Sequence, residues 1–221
     1  MRPHTKDTQQ SLTPDRAIEY LKEGNARFVN NLRDNRNLLR QFNETSNEQF
    51  PFAAILSCID SRTSAELIFD QGLGDIFSIR IAGNILNEDI LGSMEFACKV
   101  AGSKLIVVLG HTKCSAITGA CNNLHLGHIT ALLEKIKPAI NAETQTPPGS
   151  RNGNNIQFVQ NVAVNNIKLT VDQIKRRSSI LAKMESSKKI KIIGGLYYLE
   201  TGIVTFFGIR QLCQPLKQIC P

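Results

Sequence analysis

The sequence FAAILSCIDSR at residues 52–62 decides the fold, and LIVVLGHTKC at residues 105–114 completes what it begins. Each starts with a short, continuous apolar segment, which is typical of a parallel β-strand covered on both faces. Each then continues directly into polar residues with reactive side chains. If the two strands are neighbours, Cys58, His111 and Cys114 meet at the carboxyl ends of the sheet, where open α/β sheets bind their ligands.

These three side chains form the ligand set of a zinc site. Two thiolates and one imidazole suit a borderline-soft ion, whereas magnesium and calcium prefer oxygen ligands. A catalytic zinc has three protein ligands and leaves its fourth position to water. The chain has no Cys-x-x-Cys pair, which argues against a zinc finger or ribbon. The alternative interpretation is a buried cysteine beside an ordinary loop histidine.

Asp60 and Arg62 follow Cys58 by two and four residues. A tight turn places a carboxylate against a guanidinium two residues later, and a bidentate pair fixes the orientation of the carboxylate. Such a carboxylate either orients the water or hydroxide on zinc, or turns to occupy the fourth zinc position itself. A surface salt bridge that only caps the turn is the alternative.

The composition is that of one globular domain, residues 1–221, with residues 1–48 as an N-terminal helical arm and loop. Hydrophobic residues make up 42% and charged residues 20% of the chain, as in soluble proteins. We find no apolar segment near the ~20 residues of a membrane span and no secretory signal. We therefore expect no membrane partner and a cytoplasmic location, or a periplasmic one if a signal peptide has been removed.

Net charge and cysteine content further restrict the class of protein to which the chain can belong. The net charge of +7 comes from Lys and Arg spread along the chain, which favours a basic surface or a small anionic ligand over nucleic acid. The cysteine spacing is not that of a disulfide-rich secreted domain. Cys98 and Cys121 are expected to be small buried hydrophobic residues. Cys213 and Cys220 could pair under oxidation, but free thiols are favoured.

The rest of the pattern predicts an α/β fold. We expect a mostly parallel central sheet, with four parallel strands plus an antiparallel edge strand, flanked by helices. A helix starts at Pro14 behind the N-cap Thr13, and its incomplete apolar stripe suggests packing on a partner subunit as well as on its own core. The strands are expected at 52–58, 75–81, 105–109, 189–196 and 203–209, the last two as a hairpin, and further helices at 64–70, 88–100, 114–121, 129–140, 155–177 and 178–185, with a polar loop at 31–48.

The residues around Cys58 and His111 resemble the β-class carbonic anhydrase family. The resemblance rests on CIDSR at residues 58–62, GHTKC at 110–114, RIAGN at 80–84 and GGLYY at 194–198, and runs from about residue 25 to about residue 208. It implies Zn²⁺ as cofactor and reversible hydration of carbon dioxide to bicarbonate and a proton, by zinc-bound hydroxide that the Asp60–Arg62 pair orients. It also implies a substrate pocket with Gln49, Phe77 and Ala82. The implied assembly is a homodimer, or a tetramer made of two dimers, with the N-terminal helix over the partner.

The sequence departs from the family pattern at three positions. Ser115 stands where many members have Gly, and Phe96 where many have Tyr. Ile55 replaces a Trp with which some members form a second, non-catalytic bicarbonate site. We therefore expect an accessible zinc site with water or hydroxide as fourth ligand, and not a site closed by Asp60.

Three other functions fit parts of the pattern. One is a related zinc hydrolase of carbon disulfide or carbonyl sulfide, which only substrate access would separate from the first. Another is a non-catalytic protein that binds zinc and bicarbonate or a partner protein. The third is an enzyme that uses Cys58 as a metal-free nucleophile.

Overall fold

The computed structural model describes residues 4–207, so that Cys213 and Cys220 lie outside the described residues. A five-stranded sheet with the order β2-β1-β3-β4-β5 forms its centre. The strands are β1 (Ala53–Ser57), β2 (Ile76–Arg80), β3 (Leu105–His111), β4 (Lys191–Tyr197) and β5 (Val204–Phe207). The first four run parallel, and β5 pairs antiparallel with β4. The predicted fold class is confirmed, including its antiparallel edge strand.

Helices cover both faces of this sheet. Within the described residues they are α1 (Lys6–Ser11), α2 (Pro14–Val29), α3 (Leu38–Thr45), α4 (Ala65–Ile68), α5 (Glu88–Glu95), α6 (Ser115–Cys121), α7 (Gly127–Glu134), α8 (Lys137–Ala142), α9 (Ile156–Arg177) and α10 (Ser179–Ser186). A 3₁₀ turn at Ala82–Asn84 follows β2, a π-helical turn at Phe96–Val100 extends α5, and a second 3₁₀ turn spans Pro148–Ser150. No helix in residues 4–207 combines the length and the apolar character that a membrane crossing requires.

The two faces of the sheet carry separate cores because successive strand residues point to opposite sides. In β1, Ala54 and Leu56 face one core, which α9 completes with Ile167 and neighbouring apolar side chains. Ala53 and Ile55 face the other core, which α2 and α4 cover. Residues of β1 are buried throughout, as the continuous apolar run predicted.

The N-terminal helix α2 begins as the sequence predicted. The Thr13 side chain accepts a hydrogen bond from the Arg16 N–H, and Pro14 occupies the first turn. Ala17 and Leu21 are fully buried against the chain's own sheet. Part of the incomplete apolar stripe is therefore used within the chain. Its extension onto a partner, and the limit of the N-terminal arm at residue 48, remain predictions.

Two secondary-structure predictions were wrong. The segment 31–48 contains α3, which starts behind the N-cap Asn37. Its apolar side chains Leu38, Leu39 and Phe42 are exposed and do not form a buried stripe. The single helix expected at 129–140 is two helices, α7 and α8. Pro138 has no N–H to continue the hydrogen bonds of α7, and it stands at the start of α8.

Candidate metal centre

The parallel pairing of β1 with β3 brings the three predicted zinc ligands together. Ser57, the last residue of β1, is level with Leu109 of β3. Cys58 therefore lies one residue beyond its strand, His111 is the last residue of β3, and Cys114 is the N-cap of α6. The ligand atoms of these three side chains lie within 4.8 Å of one another. All three residues are at most 4% exposed.

The two thiols form a coupled pair. Their Sγ atoms are 3.9 Å apart, and the Gly83 N–H donates to Cys58 Sγ with a nitrogen–sulfur distance of 3.4 Å. The adjacent Cys114 thiol and the Gly83 N–H stabilise the Cys58 thiolate, which outweighs burial and lowers the pKa of Cys58. The same contact raises the pKa of Cys114, because a second thiolate beside the first is unfavourable. A cation between the sulfur atoms removes this repulsion and stabilises both thiolates.

His111 is held so that one ring nitrogen is available. Its Nδ1 lies 2.8 Å from the Thr112 carbonyl oxygen. A carbonyl only accepts hydrogen bonds, so Nδ1 carries the proton and Nε2 keeps its lone pair. Nε2 is buried and has no hydrogen-bond partner among residues 4–207. Burying such an atom without a partner costs about 1–3 kcal/mol.

These observations fit zinc. A tetrahedral ion with sulfur ligands at about 2.3 Å needs a sulfur–sulfur distance of about 3.8 Å, and the thiols are 3.9 Å apart. The unpartnered Nε2 would supply the nitrogen ligand, and the contact of Nδ1–H with a carbonyl is the support that metal-binding histidines commonly have. Magnesium and calcium prefer oxygen ligands, so a site of thiolates and imidazole favours zinc over either ion.

Asp60 and Arg62 form the bidentate pair that the spacing predicted. Arg62 Nε donates to Asp60 Oδ1 at 2.9 Å, and the terminal Nη2 donates to Oδ2 at 2.8 Å. These hydrogen bonds outweigh partial burial and lower the pKa of Asp60 to about 2. Asp60 Oδ2 lies 4.0 Å from His111 Nε2. A charged carboxylate is thus fixed next to the three ligands without being one of them.

Arg80 supports this turn from β2. Its Nε donates to the Cys58 carbonyl at 3.0 Å and its Nη2 to the Asp60 carbonyl at 2.6 Å. The sequence placed Arg80 in a motif and linked it to a second bicarbonate site, but did not predict these hydrogen bonds. The role of Gly83 as a donor to sulfur was also missed. Its φ of 66° lies in the left-handed region, which glycine adopts at little cost.

The predicted substrate-pocket residues lie on neighbouring elements. Phe77 is in β2, half-buried, with its ring centroid 6.4 Å from that of Phe96. Ala82 begins the 3₁₀ turn that carries Gly83. Gln49 is exposed in the segment before β1. Their contacts with a substrate remain predictions.

Comparison with known sequences identifies the family. A family model described as Carbonic anhydrase matches residues 53–204. The carbonic anhydrase of Mycolicibacterium smegmatis is 34% identical over 198 residues, which cover 86% of this chain and 92% of the relative. Carbonic anhydrase 2 of Mycobacterium tuberculosis is 34% identical over 201 residues, which cover 86% and 90%.

Solved structures of β-carbonic anhydrases have the same fold. The β-carbonic anhydrase CafA of Aspergillus fumigatus matches with a TM-score of 0.68 at 19% identity, over 91% of this chain and 92% of that one. A tetrameric β-carbonic anhydrase of Sordaria macrospora matches with a TM-score of 0.65 at 20% identity, over 76% and 85%. From its fold, its Cys–His–Cys cluster and its relatives at 34% identity, the chain belongs to the β-class carbonic anhydrase family.

Proposed function

We propose that this chain is a zinc-dependent carbonic anhydrase that catalyses the reversible hydration of carbon dioxide to bicarbonate and a proton. The observation that carries the proposal is the buried cluster of Cys58, His111 and Cys114, with Nε2 of His111 unpartnered within the described residues. The relatives at 34% identity that carry the name carbonic anhydrase support it.

Cys58, His111 and Cys114 would hold the ion. When bound, zinc lowers the pKa of a water at its fourth position from 15.7 to about 7, which makes a nucleophile available near neutral pH. Burial of all three ligands excludes bulk water from one side of the site. The two thiolates also neutralise the ion, so the occupied site carries no net charge that would retain bicarbonate.

Asp60 would orient the attacking water. Its Oδ1 accepts both the Arg62 Nε–H and the Arg62 backbone N–H, while Oδ2 accepts one bond from Nη2. Oδ2 therefore keeps a free lone pair on the atom nearer to His111. A water hydrogen bonded to this oxygen has its own lone pair directed away from Asp60, toward the space for carbon dioxide. Because Arg62 holds both carboxylate oxygens, we propose the open site and not the one closed by Asp60.

The substrate pocket and the assembly belong to the same proposal. Phe77 and Ala82 would form an apolar wall for carbon dioxide, and Gln49 would donate to a substrate oxygen. We propose a homodimer, or a tetramer of two dimers. Exposed apolar side chains on α3, Leu38 and Phe42 among them, support an interface, as does the tetrameric relative from Sordaria macrospora. We propose a cytoplasmic location.

Metal analysis together with stopped-flow carbon dioxide hydration tests the proposal. We expect about one zinc per chain, the stoichiometry of a single three-ligand site. Asp60→Asn should keep the zinc and lower kcat/KM at least about 100-fold, a usual contribution of a group that handles a proton. Asp172→Asn, an exposed carboxylate on α9, is the control and should match the wild type.

Two results would contradict the proposal. A carefully purified wild-type chain without zinc would exclude the metal site, and alkylation of Cys58 would then indicate a cysteine nucleophile. A zinc-loaded chain without carbon dioxide hydration would exclude the reaction. Assays with carbonyl sulfide and carbon disulfide on that material would show whether the related hydrolase activity is present.

A further inference from the structure

The turn that joins His111 to Cys114 is fastened to the hairpin between β4 and β5 at several points. Thr112 N–H donates to the Tyr197 carbonyl at 3.0 Å. Its hydroxyl accepts the Leu199 N–H at 3.0 Å and donates to Glu200 Oε2 at 2.8 Å. Two polar groups of one residue, its N–H and its hydroxyl, thus make three hydrogen bonds to a different part of the chain.

The third polar group of Thr112, its carbonyl, acts on the metal centre. Its carbonyl oxygen lies 2.8 Å from His111 Nδ1. The position of this carbonyl fixes the ring plane of His111 and therefore the direction of the Nε2 lone pair. Any rotation of the Thr112 peptide would turn the ring away from Cys58 and Cys114. The contacts that hold Thr112 consequently set the geometry of the nitrogen ligand.

Glu200 is the side chain that completes these contacts. Its Oε2 accepts the Thr112 hydroxyl, which orients the hydroxyl lone pairs toward the Leu199 N–H. Its Oε1 pairs with Lys113 Nζ at 2.9 Å. Glu200 thus contacts both residues that separate His111 from Cys114.

Exposure distinguishes the two contacts of Glu200. The Thr112 residue is 5% exposed, so its hydrogen bond to the carboxylate is shielded from water on the Thr112 side. The Lys113 and Glu200 side chains are 58% and 43% exposed, and an ion pair of this kind contributes little to stability. The hydrogen bond to Thr112 is therefore the contact through which Glu200 acts on the centre.

We propose that Glu200 is a positioning residue for the metal centre, which orients His111 through Thr112. This inference rests on the proposed zinc site, but it concerns residues 88 positions apart that the family motifs do not connect. It assigns Glu200 no contact with substrate. Its loss should loosen the nitrogen ligand while the fold and both thiol ligands stay in place.

The rate of zinc transfer from the loaded protein to a colorimetric chelator tests the proposal. Glu200→Ala and Thr112→Val should each accelerate the transfer about 10- to 100-fold, the usual effect of losing an outer support of a metal ligand. Glu200→Gln and Thr112→Ser keep the acceptor and the hydroxyl, respectively, and should stay within about threefold of wild type. Lys113→Met, which removes only the exposed ion pair, should also stay within about threefold.

A spectroscopic signature separates positioning from general loss of stability. In the cobalt-substituted protein, Glu200→Ala and Thr112→Val should shift the d–d bands, because the direction of the nitrogen ligand changes. The melting temperature of the metal-free Glu200→Ala protein should stay close to that of the wild type. Glu134→Ala is the matched control, since Glu134 is 44% exposed and forms a similarly exposed ion pair with Lys137.

Two outcomes of these experiments would overturn the proposed role of Glu200. Glu200→Ala with the zinc transfer rate and cobalt spectrum of Glu134→Ala would show that Glu200 positions nothing. Transfer rates that follow the melting temperatures of the metal-free variants would show a structural role only. In both cases the zinc content and carbon dioxide hydration of the wild type would still support the proposed function. A wild type that binds no zinc would end both proposals.

Discussion

Replacing Gly110 by alanine tests how tightly the end of β3 is packed beneath the metal centre. A Cβ at position 110 would lie 2.6 Å from Cδ1 and 2.8 Å from Cγ1 of Ile167 on α9. Carbon atoms in ordinary contact are about 3.5–4.0 Å apart, so close to 1 Å of overlap must be relieved. Ile167 is fully buried. A Cβ at Gly194 of β4 would lie only 2.5 Å from its Cγ2, so the isoleucine has no free space on that side.

The expected loss of stability follows from the tight packing around Ile167. Overpacking of a buried site costs about 1–3 kcal/mol, so Gly110→Ala should lower the free energy of unfolding by that amount. At about 2–4 °C per kcal/mol for a chain of this size, the melting temperature should fall by roughly 2–12 °C. Ile167→Ala alone should cost about 2–5 kcal/mol, because it leaves a cavity.

The double variant decides whether the contact is the cause. In Ile167→Ala the clashing atoms are gone, and the new methyl group at position 110 fills part of the cavity. The double variant should therefore be more stable than the sum of the single changes predicts, by about 1–2 kcal/mol. Urea unfolding of the metal-free proteins measures this, with Gly149→Ala as control, where an added Cβ meets nothing within 4 Å. Additive single effects would refute the reasoning.

Three further predictions concern pH, metal and backbone. Burial raises the pKa of Asp70, but hydrogen bonds from Arg36 and Arg27 outweigh it, so the pKa lies below its usual value in the folded protein. The stabilisation by the charged Asp70 is then fully present above about pH 4, the unfolded pKa, and is lost as the pH falls through the lower folded pKa. In urea titrations Asp70→Asn should therefore lower the free energy of unfolding more at pH 6 than at pH 3. Equal losses at the two pH values would contradict this. Free zinc at about 100 times its dissociation constant should stabilise the chain by about 2.7 kcal/mol and raise its melting temperature. A chelator should reverse this increase, and Cys58→Ser should abolish it. Gly83→Ala should lower the unfolding free energy by about 1–2 kcal/mol, because alanine is strained in the left-handed region, and denaturant unfolding that matches the wild type would show that the turn relaxes.

The clustering of Cys58, His111 and Cys114 was predictable because local patterns were enough to place these residues. The apolar runs before Cys58 and His111 identified two buried strands, and parallel strands present their carboxyl ends at the same edge. The Asp60–Arg62 pair was predictable for a similar reason, since two residues of a tight turn are always close. What the sequence left open was the register, and β1 and β3 are indeed aligned so that Cys58 and His111 lie near one another.

Contacts between distant polar residues were not predictable. Thr112 and Glu200 are 88 residues apart, and Asn166, which donates to the Gly83 carbonyl, is 83 residues from its partner. Neither pair belongs to a periodic pattern, and a threonine, glutamate or asparagine has many equivalent uses on a protein surface. Helix α3 was missed because it is only eight residues long and lies in a polar, Asn-rich segment. Its apolar residues are exposed, and the buried side chain on this helix is the polar Gln41.

The contacts around the centre position these residues without occupying the nitrogen that would bind zinc. Cys58 is held through its carbonyl by Arg80 and through its sulfur by Gly83, and His111 is held through Thr112. None of these contacts uses Nε2 of His111, which has no hydrogen-bond partner among residues 4–207. A bound zinc ion would give Nε2 a partner and would stabilise two thiolates side by side.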